Sequence, residues 1–307
     1  MNTVLTLRDA DGAYQSAQCL RFSLVRDRYQ PYASLTACFA EPTGRLPREA
    51  VLTVGGQTVF SGLIRTAAHS QQNGMRLLEI TARSFSEALA RNQLMPGMRS
   101  QVTPQSLLAE YPLPRLTCET GLEPVGYIYI KDRIGIWDAL IALSYKHSGG
   151  FPYVRVPDHL CISPQPEENP VMLPEKRILR RGPVSDCGEL ISRIEMSDLD
   201  GNYGSFALDN PEAAARGVVR LQRMPFDMHY VNNPAMALAA RIARANRRLA
   251  GEAVCYDGYC GEDLEDWAGI GSDFRAHVSR IVLKGDETGL QTEDTFYFDS
   301  FCNNVTV

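Results

Sequence analysis

Four carboxylates crowd together at Glu262, Asp263, Glu265 and Asp266, with Trp267 beside them. A pair of carboxyl groups next to an aromatic platform is what a glycosidase uses, one as general acid and the other as base or nucleophile. One reading of the chain is therefore a cell-wall-directed hydrolase with residues 262–266 as its acid/base candidates. What defines such a pair is spatial separation, and spacing in sequence does not supply it. The competing reading is a solvated acidic loop, in which replacing all four by Asn or Gln leaves any particle-level activity attributable to assembly intact, within the small losses that surface changes cause. The histidines His69, His147, His159, His229 and His277 show no His-x-x-x-His or Glu-x-x-His spacing. No serine lies in Gly-x-Ser-x-Gly, so neither metal nor nucleophilic catalysis is predicted.

DLDGN at 198–202 places Asp198, Asp200 and Asn202 at alternate positions, as a calcium loop does. An EF-hand requires Gly at its sixth position and Glu at its twelfth, and here those places hold Tyr203 and Asp209, so the pattern predicts an Asp-Gly turn. Phosphate loops are absent; GIGSDF at 269–274 has one Gly-x-Gly and no more. No cofactor or metal is predicted. The cysteines, at 19, 38, 118, 161, 187, 255, 260 and 302, contain no Cys-x-x-Cys pair. Reduced thiols, Cys255 and Cys260 included, are expected in a protein folded in cytoplasm.

With 31 Lys and Arg against 36 Asp and Glu, the net charge is −5. That balance argues against a basic face for nucleic acid. The longest apolar stretch, 134–144, is about half the ~20 residues a membrane helix needs, and no membrane anchor is predicted. Acidic residues sit where a signal peptide would have its apolar core, so secretory export is not expected.

Alternation of polar and apolar residues predicts strands at 19–25 (CLRFSLV), 34–39 (SLTACF) and 75–82 (MRLLEITA). Residues 51–54, Gly55-Gly56 and 57–64 predict a hairpin, since two glycines supply the positive φ of a tight turn. A helix over 85–92 follows. The first ninety residues thus read as an antiparallel barrel or sandwich. Thr103-Pro104 caps a short helix that ends before Pro112. Further on come a strand at 127–130, a core-facing helix at 136–145 stopped by Gly149-Gly150, and strands at 152–156 and 159–162. The segment 163–170 (SPQPEENP) predicts an exposed loop. A basic cluster at 176–181 (KRILRR) opens a third region with strands at 192–197 and 203–208. The chain's best helix, 235–250 (AMALAARIARANRRLA), should lay its alanine face against barrel strands, which makes Ala239→Leu an overpacking change. A loop over 257–272 and strands at 276–284 and 295–301 complete the pattern.

The stretch 51–92, VLTVGGQTVFSGLIRTAAHSQQNGMRLLEITARSFSEALARN, resembles the N-terminal barrel of phage tail baseplate hub proteins, found at the tip of contractile tails and tailocins and related to the hub portion of type VI secretion spikes. The likeness lies in the order of features: a strand, a tight Gly turn, a strand ending Val-Phe-Ser-Gly, a longer hairpin, then a strand leading into Ala-Arg-Ser and a helix carrying Leu89. PGMRSQVTPQSLLAEY resembles the family's short helix after the barrel, and ALAARIARANRRLAGEA with the final strands resembles its second barrel. The resemblance implies a mainly β fold with an α+β insert: two antiparallel tail-tube-like β-barrels, 1–94 and 176–307, joined by a small α/β middle domain, 95–175.

It further implies a structural, non-enzymatic hub made in the bacterial cytoplasm and resident in the virion or tail-like particle. Three copies would form a homotrimer whose pseudo-six-fold ring joins the tail tube protein to the central spike protein, with the tape-measure protein and other baseplate proteins as further partners and no specific nucleic-acid binding. A tail-tip protein of a non-contractile, siphophage-like tail is the alternative within the same resemblance. Because the chain ends at Val307, puncturing or lytic activity is expected on another polypeptide. Rings of this kind join through strand edges, and the hairpin 57–82 supplies the subunit-interface candidates Arg76, Leu77 and Ile80. Leu77→Pro and Ile80→Pro are expected to be the disruptive changes there.

Overall fold

The computed structural model describes residues 2–12, 14–15, 18–40, 46–111, 113–272 and 274–298. Its N-terminal strands follow the alternation closely. β1 (Thr3–Arg8), β2 (Tyr14–Gln15), β3 (Gln18–Asp27), β4 (Ser34–Ala40), β5 (Glu49–Val54), β6 (Gln57–Gln72) and β7 (Met75–Ser84) succeed one another with short connections. In β5 every second side chain is buried, and in β7 Leu78, Ile80 and Ala82 are buried while Glu79 and Thr81 are exposed. Gly55 and Gly56 turn β5 into β6 at φ of 58° and 87°, a conformation that side chains with a Cβ rarely adopt. Gly62 allows β6 to lie against β7, since a Cβ there would overlap the Arg83 carbonyl.

The fold is mainly β, and one antiparallel sheet dominates it. Its strand order is Ile178–Val184, Gly251–Asp257, Gly289–Tyr297, Arg280–Asp286, β3, β4, β7, β6, β5, β1, β2. Both ends of the chain build this sheet, and they meet where β3 pairs with Arg280–Asp286: Val25 faces Val282, Leu24 faces Leu283 and Phe22 faces Gly285. One apolar core serves both sides of the junction, with Leu24, Leu35, Phe39, Leu52 and Leu78 packed together with Val254, Tyr256, Ile281 and Phe296. Fully burying an aliphatic or aromatic side chain contributes about 1.5–3 kcal/mol, so this shared core fixes how the two ends sit on each other.

Two smaller units carry cores of their own. In the first, strands Gly97–Val102 and Val125–Ile130 pair, and the helix Ile136–Ser148 packs on them through Ile136, Leu140 and Leu143. That helix stops at Gly149, φ 73°, and Thr103 makes a capping box with Ser106 on the short helix Pro104–Leu108. In the second, a three-stranded sheet of Phe206–Asp209, Arg193–Met196 and Leu221–Met224 is covered by the helix Pro234–Asn246. Asp198 accepts backbone N–H groups from Asp200 and Asn202, so DLDGN is a turn. Tyr29, Tyr145 and Phe151 pack where the units meet.

Several expectations need correction. The long helix covers its own small sheet instead of the large one, and Ala239 is exposed, so Ala239→Leu does not overpack; the buried positions are Ala237, Leu238 and Ala245. The run 276–284 is two strands, Phe274–His277 and Arg280–Asp286. The predicted strand 295–301 begins earlier, as Gly289–Tyr297, and its last three residues lie outside the described ones. The 257–272 loop contains strand Trp267–Ile270. Cys302 also lies outside the described residues, whereas the described cysteines are free thiols.

The junction gives a direct test. The Phe22 ring occupies the space that a side chain at Gly285 would need. Gly285→Val should destabilise by roughly 1–3 kcal/mol through overpacking, read as a lowered denaturation midpoint, and shrinking the ring with Phe22→Ala in the same molecule should recover part of that loss.

Candidate functional site

β3 ends at Arg26 and Asp27 and runs on into Arg28 and Tyr29 of the following turn, and all four residues are buried. Alternation sends neighbouring side chains to opposite faces, and each charge finds a partner from a distant segment. Arg26 pairs with Asp263, and Arg28 Nη1 lies 2.7 Å from Glu265 Oε1. Asp27 Oδ2 accepts from Arg248 Nη2 at 2.7 Å. Tyr29 donates its hydroxyl to the Arg247 carbonyl at 3.2 Å, and the Arg247 and Arg248 guanidiniums stack near its ring.

The acidic group of 262–266 is therefore no solvated loop. Glu262 is fully buried, with its carboxylate accepting from the Tyr256 hydroxyl and, at 3.0 Å, from the Cys260 N–H. Asp263 Oδ2 accepts the Val156 N–H at 2.9 Å, and Asp266 Oδ1 lies 2.7 Å from Arg155 Nη2. Arg155 belongs to strand Tyr153–Arg155, so β3, the middle region and the C-terminal loop are tied at one point. Glu265 sits at φ 66°, a costly conformation for a residue with a Cβ, held by its pairing with Arg28 and by its N–H on the Val278 carbonyl at 2.8 Å. Trp267 packs against His277, ring centroids 4.9 Å apart. Replacing the four carboxylates together therefore removes partners from buried arginines, in contrast to the small surface loss expected from the sequence.

Asp294, in the middle of strand Gly289–Tyr297, is fully buried, and neither carboxyl oxygen has a hydrogen-bond partner among the described residues. Burial first, and then the nearby Glu262 and Glu293 charges, push its pKa well above the ordinary carboxylate range; burial likewise raises Glu262 against the opposing Tyr256 hydrogen bond. The interior thus favours the protonated acids. Sequence reading missed Asp294, since TEDT looks like a solvated segment, and it missed the role of 26–29; the one usable signal was a charged run continuing an alternating strand.

Among the interface candidates, Arg76 is exposed at the tip of the β6–β7 hairpin, Leu77 is half-buried and Ile80 is a core residue at 2% exposure. β7 is paired on both sides in the protomer, Leu77 facing Ala40 on β4 and Ser70 on β6. One edge left unpaired among the described residues runs along residues 65–72 of β6, beyond the last pairing with β5 at Leu63, and Ile178–Val184 at the end of the sheet presents another. Proline at 77 or 80 would therefore interrupt the protomer's own ladder.

Two measurements follow from this geometry. Asp263→Ala, which strips Arg26 of its buried partner, should cost about 3–5 kcal/mol, far more than Glu79→Ala at the exposed Arg21–Glu79 pair, as read by chemical denaturation. Because the Asp294 carboxyl is raised in the folded state, its contribution is fully present at acid pH below the unfolded value and is lost as pH rises through the folded one. Asp294→Asn should flatten the fall in melting temperature toward alkaline pH, and an unchanged slope would locate that fall elsewhere.

No protein-family model and no curated protein sequence matches the chain. Solved structures do. A tail protein from Neisseria meningitidis superposes with a TM-score of 0.69 at 16% identity, covering 98% of this chain and 98% of its own. The 43 kDa tail protein of prophage MuSo2 from Shewanella oneidensis gives 0.67 at 12% identity, covering 97% of this chain and 99% of its own. An E. coli component of the type VI secretion system, described as structurally similar to the T4 bacteriophage tail proteins gp27 and gp5, gives 0.56 at 9% identity, covering 98% of this chain and 78% of its own. At such identities the likeness is one of fold, and over nearly its whole length this chain has the fold of phage tail proteins and type VI secretion spike and hub proteins.

Proposed function

We propose that this protein is a structural baseplate hub of a phage tail or phage-tail-like particle, a trimer whose pseudo-six-fold ring joins the tail tube to the central spike. The observation that carries this reading is the extent of the structural likeness. The large sheet and both smaller units are matched together by tail proteins of similar size, so the likeness covers the arrangement of the units and not one motif alone. In this reading residues 1–94 and 176–307 act as the two barrel-like halves, with 95–175 between them, and two halves in each of three copies provide six similar positions. The tube, spike and tape-measure proteins are its partners, and its place is the tail of the particle. The buried, ion-paired state of 262–266 favours a structural part for those carboxylates over an acid/base one.

Unpaired backbone along 65–72 supports the hairpin as a subunit contact, because an exposed strand edge is a hazard unless a neighbour covers it. Arg76 and Leu77, at the tip, would meet that neighbour, while Ile80 anchors the hairpin in the core. A trimer of about 100 kDa, three times the 34.1 kDa protomer, is expected by sedimentation. Replacing residues 70–77 by Asn-Gly shortens the hairpin to a two-residue turn and removes almost only exposed residues. The shortened protein should keep its strand content by circular dichroism and sediment as a monomer. A folded variant that remains trimeric would move the contact to another edge, and a monomeric parent protein would end the ring proposal.

A further inference from the structure

A groove runs between the helix Ile136–Ser148 and the helix Pro234–Asn246, and the N-terminal part of the molecule closes its far end. It comprises two cavities of about 210 Å³ and 470 Å³, and Asp138 and Arg244 line both. Its charge is unlike that of the whole chain. Arg241 and Arg244, one helical turn apart on the same face, and Arg133, from the loop before the facing helix, all line it. Among the described residues, none of these three guanidiniums makes a hydrogen bond or salt bridge. Nearby carboxylates are already engaged, Asp227 with Lys131 at 3.5 Å and Glu189 with Arg247, which leaves Asp138 as the one carboxylate lining both cavities.

His229 adds a further donor. The Tyr129 N–H donates to its Nδ1 at 3.2 Å, which fixes a neutral ring with the proton on Nε2. Burial, and then the Lys131, Lys146 and Arg241 charges against the opposing Asp227, hold its pKa down at about 4. Arg244 is disfavoured as a cation by burial and then by its neighbours Arg247 and Arg241, against the opposing Asp138 and Glu189. A half-buried guanidinium that makes no direct ion pair is a cost in the free protein that an anionic occupant in contact with it would relieve.

We propose that this groove binds an extended acidic segment of a neighbouring protein, with its carboxylates on Arg133, Arg241 and Arg244 and its apolar side chains on the floor formed by Ile141, Phe151 and Ala237. A peptide fits the lining better than a polyphosphate. Its backbone N–H groups can donate to Asp138, whereas a DNA backbone brings only acceptors and meets that carboxylate as a like charge. The inference does not depend on ring formation.

The test uses the full chain and a fluorescent dodecapeptide of alternating Glu and Leu, followed by anisotropy at low salt, with an alternating Lys-Leu peptide and a thymidylate dodecamer as comparison probes. Saturable binding of the Glu-Leu peptide is expected, weakening with added salt and falling about tenfold or more in Arg241→Ala/Arg244→Met. Arg244→Met alone should melt at or above the parent temperature, the sign expected of a residue kept for binding at the expense of stability. Arg133→Glu, on an exposed loop, should weaken the peptide with no change in melting. Failure of the Glu-Leu peptide to saturate, equal binding by the double variant, tighter binding of the thymidylate or the Lys-Leu probe, or a lower melting temperature for Arg244→Met would each overturn the proposal.

Discussion

Strand β3 is flanked on one side by β4, its neighbour in sequence, and on the other by Arg280–Asp286 from the far end of the chain. Everything else in the molecule is arranged around that non-local pairing. Closing so long a loop costs entropy that rises only slowly with length, so the difficulty lies less in bringing the strands together than in holding one register. Because side chains alternate with period two, a slip of one residue would exchange the faces of Phe22, Leu24, Ile281 and Leu283 and expose the shared core. The fit of Phe22 over Gly285 and the charges at the strand's end both work against such a slip.

The buried charges at 26–29 are better understood as fixing geometry than as adding stability. Desolvation consumes most of what a buried ion pair gains, and a well-packed apolar replacement is often as stable. What these pairs supply here is direction. Arg26 and Arg28 each take an acidic partner from the 262–266 loop, and Asp27 takes a basic one, Arg248, from just beyond the long helix. Arg155 brings the middle region to the same point through Asp266. A chain assembled from several semi-independent cores thereby acquires a defined mutual orientation.

The same logic separates the charged features of this chain. Where Asp263, Glu265 and Asp266 sit among arginines, the charges are internally satisfied. Where arginines outnumber the available carboxylates, in the groove between the two helices, they are not. Asp294 is a third case, an acid that the interior keeps in its protonated form because ionising it would leave a charge with no partner. Burial alone does not distinguish these cases; the count of partners within reach does.

Alternation and turn chemistry were enough to define β3, the β5–β6 hairpin with its glycine pair, β7, the capped helix at Thr103 and the helix that stops at Gly149, because these depend on interactions between residues close in sequence. The order of those elements also carried the likeness to tail hub proteins. The side of the sheet on which Gly289–Tyr297 would be buried was not legible, since its polar run GLQTEDT lacks the alternation of a half-buried strand and becomes one only when Gly251–Asp257 and Arg280–Asp286 pair with it from both sides. Nor was the fate of Glu262, Asp263, Glu265 and Asp266, for a cluster of carboxylates reads as solvated until the arginines that neutralise it are known, and those arginines lie at 26, 28 and 155. Local sequence determined which segments would be strands, helices and turns. Which of them would share a core, and which charges would be buried with a partner, were decided only by contacts between residues far apart in the chain, whose energies have no expression in any window of the sequence.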